Sequence, residues 1–101
     1  MDLKQLEEEM HRFVADKGWY APDSPKTQTP RNLAISLAIE AAEVLEHFQW
    51  GESVDKDELA GELADVALYL LQLASLSDID LEQAILDKLK HNYGRQWAVD
   101  S

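Results

Sequence analysis

The sequence contains no cysteine, so disulfide bonds, thiolate metal sites and cysteine nucleophiles are excluded. Basic residues are also scarce: 9 Lys and Arg stand against 20 Asp and Glu, and the formal net charge is −11. This imbalance argues against a nucleic-acid backbone or an anionic membrane surface as partner, because both need a basic face. No apolar run approaches the roughly 20 residues of a membrane span, and the amino-terminal residues lack the features of a signal peptide. We therefore expect a cytoplasmic protein.

Proline is confined to one part of the chain. All 3 prolines and one of the 4 glycines lie in residues 18–30, which are predicted to form a loop. Two further breaks are predicted at 51–55 and 75–80. Between the breaks, apolar residues recur at i, i+3 and i+4 spacing, which indicates helices. The predicted helices cover about residues 2–16, 31–50, 56–76 and 81–93, and Asp55 or Ser53 is expected to cap the third.

These helices predict an all-α fold. With 101 residues the chain is long enough for one domain and too short for two, and short connections favour an antiparallel four-helix bundle. The second and third helices are apolar on nearly every face. We therefore expect oligomerisation to complete the bundle.

The most informative residues are acidic ones on apolar helix faces. Glu40 continues the apolar stripe of the second helix, and Glu43 lies one turn beyond it. Glu62 and Asp65 have the same relationship on the third helix. Carboxylates are rarely buried without a partner or a metal ion. This pattern makes the four residues candidates for a functional site.

The register of the hairpin strengthens this interpretation. In an antiparallel pair, residues at the same level have a constant sum of residue numbers. Glu40 with Asp65 gives the same sum as Glu43 with Glu62, and the midpoint falls in the turn at 51–55. Four carboxylates at one level would repel one another, and divalent cations would remove that penalty. An all-oxygen site fits Mg²⁺ or Mn²⁺; the alternative is a solvated acidic surface paired with basic residues, which are scarce on these helices.

The fourth helix places two polar residues on its apolar stripe. Lys88 and Asn92 follow Leu81 and Ile85 at helical spacing. Beside a carboxylate–metal site, these side chains could bind phosphate oxygens. Taken alone, Lys88 is better explained by an aliphatic stem that packs while its charge reaches solvent.

Together these motifs resemble the MazG-like all-α nucleoside triphosphate pyrophosphohydrolases. The resemblance rests on Glu40-x-x-Glu43 and Glu62-x-x-Asp65, separated by 18 residues, and on Lys88-x-x-x-Asn92. Phe48-Gln49-Trp50 and Trp19 most resemble the dCTP pyrophosphatase branch, including its integron-type bacterial members.

The resemblance implies a single MazG-like domain over residues 1–101 that hydrolyses a nucleoside triphosphate to the monophosphate and pyrophosphate. It implies dCTP or a modified dCTP as the preferred substrate, house-cleaning of the nucleotide pool as the role, and a homodimer or homotetramer. Mg²⁺, with Mn²⁺ as a possible substitute, would be the cofactor. The implied catalytic and metal-binding residues are Glu40, Glu43, Glu62 and Asp65. Phosphates would be bound by Lys88, Asn92 and Arg95, and the base and sugar by Trp19, Trp50 and Tyr69.

The chain departs from the family pattern at the base pocket. Met10 and Gln28 stand where related eukaryotic enzymes have histidines, and the loop that begins at Trp19 is longer. Within the superfamily, phosphoribosyl-ATP pyrophosphohydrolase and dimeric dUTPase stay open as alternatives, although the Phe-Gln-Trp segment disfavours both. A non-catalytic acidic helical interaction module is the alternative from another class. It would explain the charge of −11 but not the shared level of the four carboxylates.

Overall fold

The fold is all-helical, as the apolar periodicity predicts. A computed structural model describes residues 1–95, and that part of the chain contains helices and no strand. The helices are α1 (Leu3–Asp16), α2 (Pro30–Glu46), α3 (Lys56–Leu76) and α4 (Leu81–Tyr93). The architecture of the chain is therefore that of a helical bundle, with the predicted loop at residues 18–30 between α1 and α2.

Each helix begins at a side chain that accepts hydrogen bonds from its first turn. Asp2, Thr29, Asp55 and Asp80 are the N-cap residues of α1 to α4. Such caps satisfy backbone N–H groups that have no partner within the helix. Of the two caps predicted for α3, the structure selects Asp55, which accepts from two backbone N–H groups.

The carboxyl end of α2 differs from the prediction. The helix ends at Glu46, so the prediction that it continues to Trp50 is wrong. Beyond Glu46 the backbone N–H groups of residues 47–49 donate to carbonyls three residues earlier, at 3.0–3.3 Å. These tighter turns bring the chain to Gly51, whose φ of +149° is rarely adopted by residues with a side chain.

α3 is the central helix and contacts each of the other three. The buried core formed on it is small: Leu71 packs with Met10 and Val14 of α1. The chain is also expanded, with a radius of gyration of 16.3 Å against about 13 Å for a compact domain of 100 residues. Many large apolar side chains stay exposed on α2, α3 and α4, among them Ile35, Ile39, Leu63, Leu68, Ile85, Leu86 and Leu89.

α3 is also long and apolar enough to cross a membrane, judged by length and composition alone. The core helix of a soluble protein meets the same criterion, and α3 contacts α1, α2 and α4 in this fold. It carries Glu62 and Asp65 near its middle, and charged carboxylates are costly at the centre of a bilayer.

Candidate active site

Four carboxylates converge where α2 packs against α3. One oxygen from each of Glu40, Glu62 and Asp65 lies within 4.8 Å of the other two. Glu43 is close enough to share a hydrogen bond with both Glu40 and Glu62 when one carboxyl of each pair is protonated. The hairpin register therefore placed these side chains correctly, whereas their catalytic and metal-binding roles stay predictions.

Crowding of like charges raises the pKa values in this cluster. The pKa of Glu40 rises to about 7, first because burial penalises the charged form, then through contact with Glu43 and the charges of Asp65 and Glu62. The pKa of Glu62 is also raised, mainly by its contact with Glu43 and by burial, while His47 opposes the shift. The arrangement thus binds protons more readily than separate carboxylates do.

The same features fit a divalent cation. Glu40 Oε2 is buried and has no hydrogen-bond partner among residues 1–95, which is costly for an ionised oxygen unless a proton or cation approaches it. The converging ligand atoms of Glu40, Glu62 and Asp65 are all carboxylate oxygens, the ligand type preferred by Mg²⁺ and Mn²⁺. The three residues can therefore hold such an ion, and Glu43 lies beside them.

His47 joins this cluster although the sequence analysis did not single it out. Its Nε2 lies 3.8 Å from Glu62 Oε1, and the two side chains are only 16% and 26% exposed. The sequence carried a signal for it, because His47 follows Glu43 by four residues and so lies on the same helix face.

A cavity of about 650 Å³ opens beside the cluster. α1, the loop after it, α2 and α3 all contribute to its walls, and Asp65 belongs both to its lining and to the carboxylate cluster. Two of the predicted base-pocket residues, Trp19 and Tyr69, line it. So do Met10 and Gln28, the two positions that depart from the family pattern.

At the cavity, Trp19 contacts one residue of α1 and one residue of the loop that follows it. The Phe13 ring meets it edge-on, with centroids 5.7 Å apart. The ammonium nitrogen of Lys26 lies 4.7 Å from the Trp19 ring centroid, a cation–π contact. These two contacts orient the indole, which contributes an aromatic side chain to the lining of the cavity.

The other predicted binding residues lie outside this cavity. Trp50 follows the turns beyond α2 and is 91% exposed. Lys88 is exposed on α4, and Asn92 has a buried Oδ1 with no hydrogen-bond partner among residues 1–95. The backbone N–H of Arg95 donates to the carbonyl of Asn92 at 3.1 Å. In the part of a single chain that the structure describes, none of these four residues lines the cavity or belongs to the cluster of Glu40, Glu62 and Asp65.

The sequence places this site in a known family, since residues 35–100 match the MazG-like family. The chain belongs to the MazG-like family. A solved pyrophosphatase from Archaeoglobus fulgidus is 36% identical, with a TM-score of 0.75 over 89% of this chain and 87% of that one. This likeness confirms the expected all-α MazG-like fold.

Two mammalian proteins give a further comparison. dCTP pyrophosphatase 1 is 32% identical to the chain in Mus musculus and 34% identical in Homo sapiens. Each match covers 93% of this chain and 56% of the mammalian protein. The MazG-like chain thus spans a little more than half the length of these relatives.

The raised pKa of Glu40 predicts how pH changes the stability of the metal-free protein. The folded state binds a proton with a pKa of about 7, against the ordinary 4.5, so stability falls as pH rises between these values. We expect a melting temperature lower at pH 7.5 than at pH 5.5, after treatment with EDTA. Glu40→Gln should flatten the difference, whereas a steep fall retained in Glu40→Gln would contradict this assignment.

Proposed function

We propose that the protein is a Mg²⁺-dependent nucleoside triphosphate pyrophosphohydrolase that prefers dCTP or a modified dCTP. It would hydrolyse the anhydride between the α- and β-phosphates and release the nucleoside monophosphate and pyrophosphate. The observation that carries the proposal is the position of Asp65. Because this residue belongs to both the carboxylate cluster and the cavity lining, a ligand in the cavity would present its phosphates to the cluster.

The relatives support the same reaction. The A. fulgidus protein is named a pyrophosphatase, and the mammalian proteins are named dCTP pyrophosphatases. The aligned part of this MazG-like chain contains all four carboxylates. We therefore take cleavage of a nucleotide anhydride as the activity, with removal of unwanted nucleotides from the pool as its purpose.

The expected role of the four carboxylates is to bind the metal ion. Glu40, Glu43, Glu62 and Asp65 would hold Mg²⁺, with Mn²⁺ as a possible substitute. When bound, the ion would neutralise charge on the phosphates and lower the pKa of the attacking water. Glu40 or Glu43 would orient that water, since their carboxylates contact each other. The raised pKa of Glu40 suits a group that accepts a proton near neutral pH.

Base and sugar would bind in the cavity. Trp19 offers an aromatic surface for stacking, which contributes about 1–3 kcal/mol per base in other proteins. Tyr69 of α3 lines the same cavity. Lys88, Asn92 and Arg95 remain candidates for phosphate contacts, and Trp50 for the base. Since a single chain does not bring these four residues to the cavity, a neighbouring subunit would have to complete their contacts.

A homo-oligomer, either a dimer or a tetramer, is therefore part of the proposal. The exposed apolar side chains of α2, α3 and α4 and the large radius of gyration support it, because association would bury surface that one chain leaves in water. We place the protein in the cytoplasm, where nucleoside triphosphates are found.

The proposed activity is tested by release of pyrophosphate from the eight standard ribo- and deoxyribonucleoside triphosphates and from modified dCTPs. We expect release that requires Mg²⁺ or Mn²⁺ and is fastest with dCTP or a modified dCTP. The purified protein is assayed with and without EDTA, and its fold is checked by circular dichroism. If a folded protein released no pyrophosphate from any substrate, the alternative of an acidic interaction module would replace this proposal.

A further inference from the structure

A line of side-chain hydrogen bonds runs along one wall of the cavity. Its centre is Gln72 of α3, which is only 3% exposed. Gln72 Nε2 donates to Gln28 Oε1 at 2.7 Å and to Tyr20 Oη at 3.2 Å. Gln28 Nε2 in turn donates to the backbone carbonyl of Lys26 at 2.6 Å. Both glutamines line the cavity.

The direction of these hydrogen bonds is fixed by the Lys26 carbonyl. A carbonyl can only accept, so Gln28 must turn its NH₂ group toward Lys26 and its oxygen toward Gln72. Gln72 must then offer its own NH₂ group to that oxygen. Both N–H bonds of Gln72 are used in this way, one on Gln28 and one on Tyr20.

Tyr20 holds the far end of the line. Its hydroxyl lies 2.5 Å from His11 Nδ1, and His11 Nε2 lies 2.7 Å from Ser75 Oγ. The Gln72 amide is thereby anchored from two sides, by the loop through Gln28 and by α1 through Tyr20 and His11. A buried amide whose two N–H bonds both donate hydrogen bonds cannot rotate without losing them.

The side-chain oxygen of Gln72 takes no part in these hydrogen bonds, which all use Nε2. Gln72 Oε1 accepts no hydrogen bond from the described residues 1–95. Among residues 1–95, the side-chain polar atoms that are completely buried and lack a hydrogen-bond partner are Glu40 Oε2 and Asn92 Oδ1. Gln72 Oε1 is not one of them, so it is not completely buried. An acceptor of fixed orientation, on a residue that lines the cavity, is available to a ligand.

We propose that Gln72 is a specificity-determining residue that selects an amino-pyrimidine over an oxo-pyrimidine, an inference that rests on the proposed function. Gln72 Oε1 would accept a hydrogen bond from the exocyclic amine of cytosine. Uracil and thymine carry an oxygen in place of that amine, so two acceptors would face each other and both would lose their solvation. Gln28 and Tyr20 act as positioning residues, because they keep the Gln72 amide from turning its NH₂ group toward the base.

The test compares binding of dCMP and dUMP, which differ in the amine and are products that the reaction does not consume. Titration calorimetry with Mg²⁺ present measures both dissociation constants. We expect dCMP to bind the wild-type protein at least about tenfold more tightly than dUMP, because a site built for a hydrogen bond strongly rejects a ligand that cannot form it. Gln72→Leu should bring the ratio close to one, and Gln83→Leu on α4 serves as the matched control that retains the wild-type ratio.

Two further variants guard against failure of Gln72→Leu to fold. Gln28→Leu and Tyr20→Phe each free one side of the Gln72 amide and should lower the ratio severalfold. Equal binding of dCMP and dUMP by the wild-type protein, or a ratio that survives in these variants, would overturn the inference. Discrimination without any release of pyrophosphate from dCTP would instead uphold the role of Gln72 and refute the proposed reaction.

Discussion

Replacement of Glu62 by alanine is expected to lower pyrophosphate release from the best substrate by about three orders of magnitude. Glu62 supplies one of the three oxygens that lie within 4.8 Å of one another, and it also contacts Glu43 and His47. Removal of this carboxylate would leave the cation with fewer ligands and the phosphates less neutralised. Loss of one precisely placed electrostatic group costs a factor of about 10²–10³ in other enzymes, and loss of a metal ligand should reach the upper end.

Glu58→Ala is the matched control for Glu62→Ala. Glu58 lies one turn earlier on α3, is exposed and is outside the cluster, so both variants lose one negative charge from the same helix. We also expect Mg²⁺ to raise the melting temperature of the wild-type protein and of Glu58→Ala, but not of Glu62→Ala. Equal activity in the two variants would remove Glu62 from the proposed metal site.

The second large effect is expected at the exposed apolar face of α4. Leu89 is 50% exposed in the single chain, and Ile85 and Leu86 beside it are 43% and 54% exposed. If a second copy covers this face, Leu89→Asp would bury a carboxylate without a partner. The cost of several kcal/mol corresponds to association weakened at least about a hundredfold. Analytical ultracentrifugation over a range of protein concentrations should show a dimer or tetramer for the wild type and mainly monomer for Leu89→Asp.

Leu89→Met distinguishes loss of the interface from damage to α4. Methionine preserves apolar character and approximate volume, so this variant should sediment like the wild type. A monomeric wild-type protein, or assembly unchanged in Leu89→Asp, would contradict the proposed use of this face.

The carboxylate cluster could be predicted from the sequence because local signals define the hairpin that holds it. Asp55 caps α3 and Gly51 provides a positive φ in the turn. The positions of this turn and of the start of α3 determine which residues of α2 and α3 lie at the same height along the hairpin. Glu40 and Asp65 are far apart in the chain, yet their meeting depends only on that register. The family motifs then gave the same residues independently.

Other parts of the site depend on interactions that periodicity does not encode. The end of α2 at Glu46 is set by tight turns, whereas the apolar residues before Gly51 favoured a longer helix. Gln72 interrupts a run of leucines, a signal that was present but could not reveal its partners Tyr20 and Gln28 in the loop after α1. The position of Trp50 on the surface depends on how the chain leaves α2, and its assignment to the base pocket stays a prediction.

The position of the carboxylates on a helical hairpin also bears on how the chain folds. α2 and α3 are joined by residues 47–55 only, so their contacts are local and can form early. The mutual repulsion of the four carboxylates would then oppose an early step rather than a late one. A divalent cation that relieves this repulsion should therefore accelerate refolding, and not merely slow unfolding.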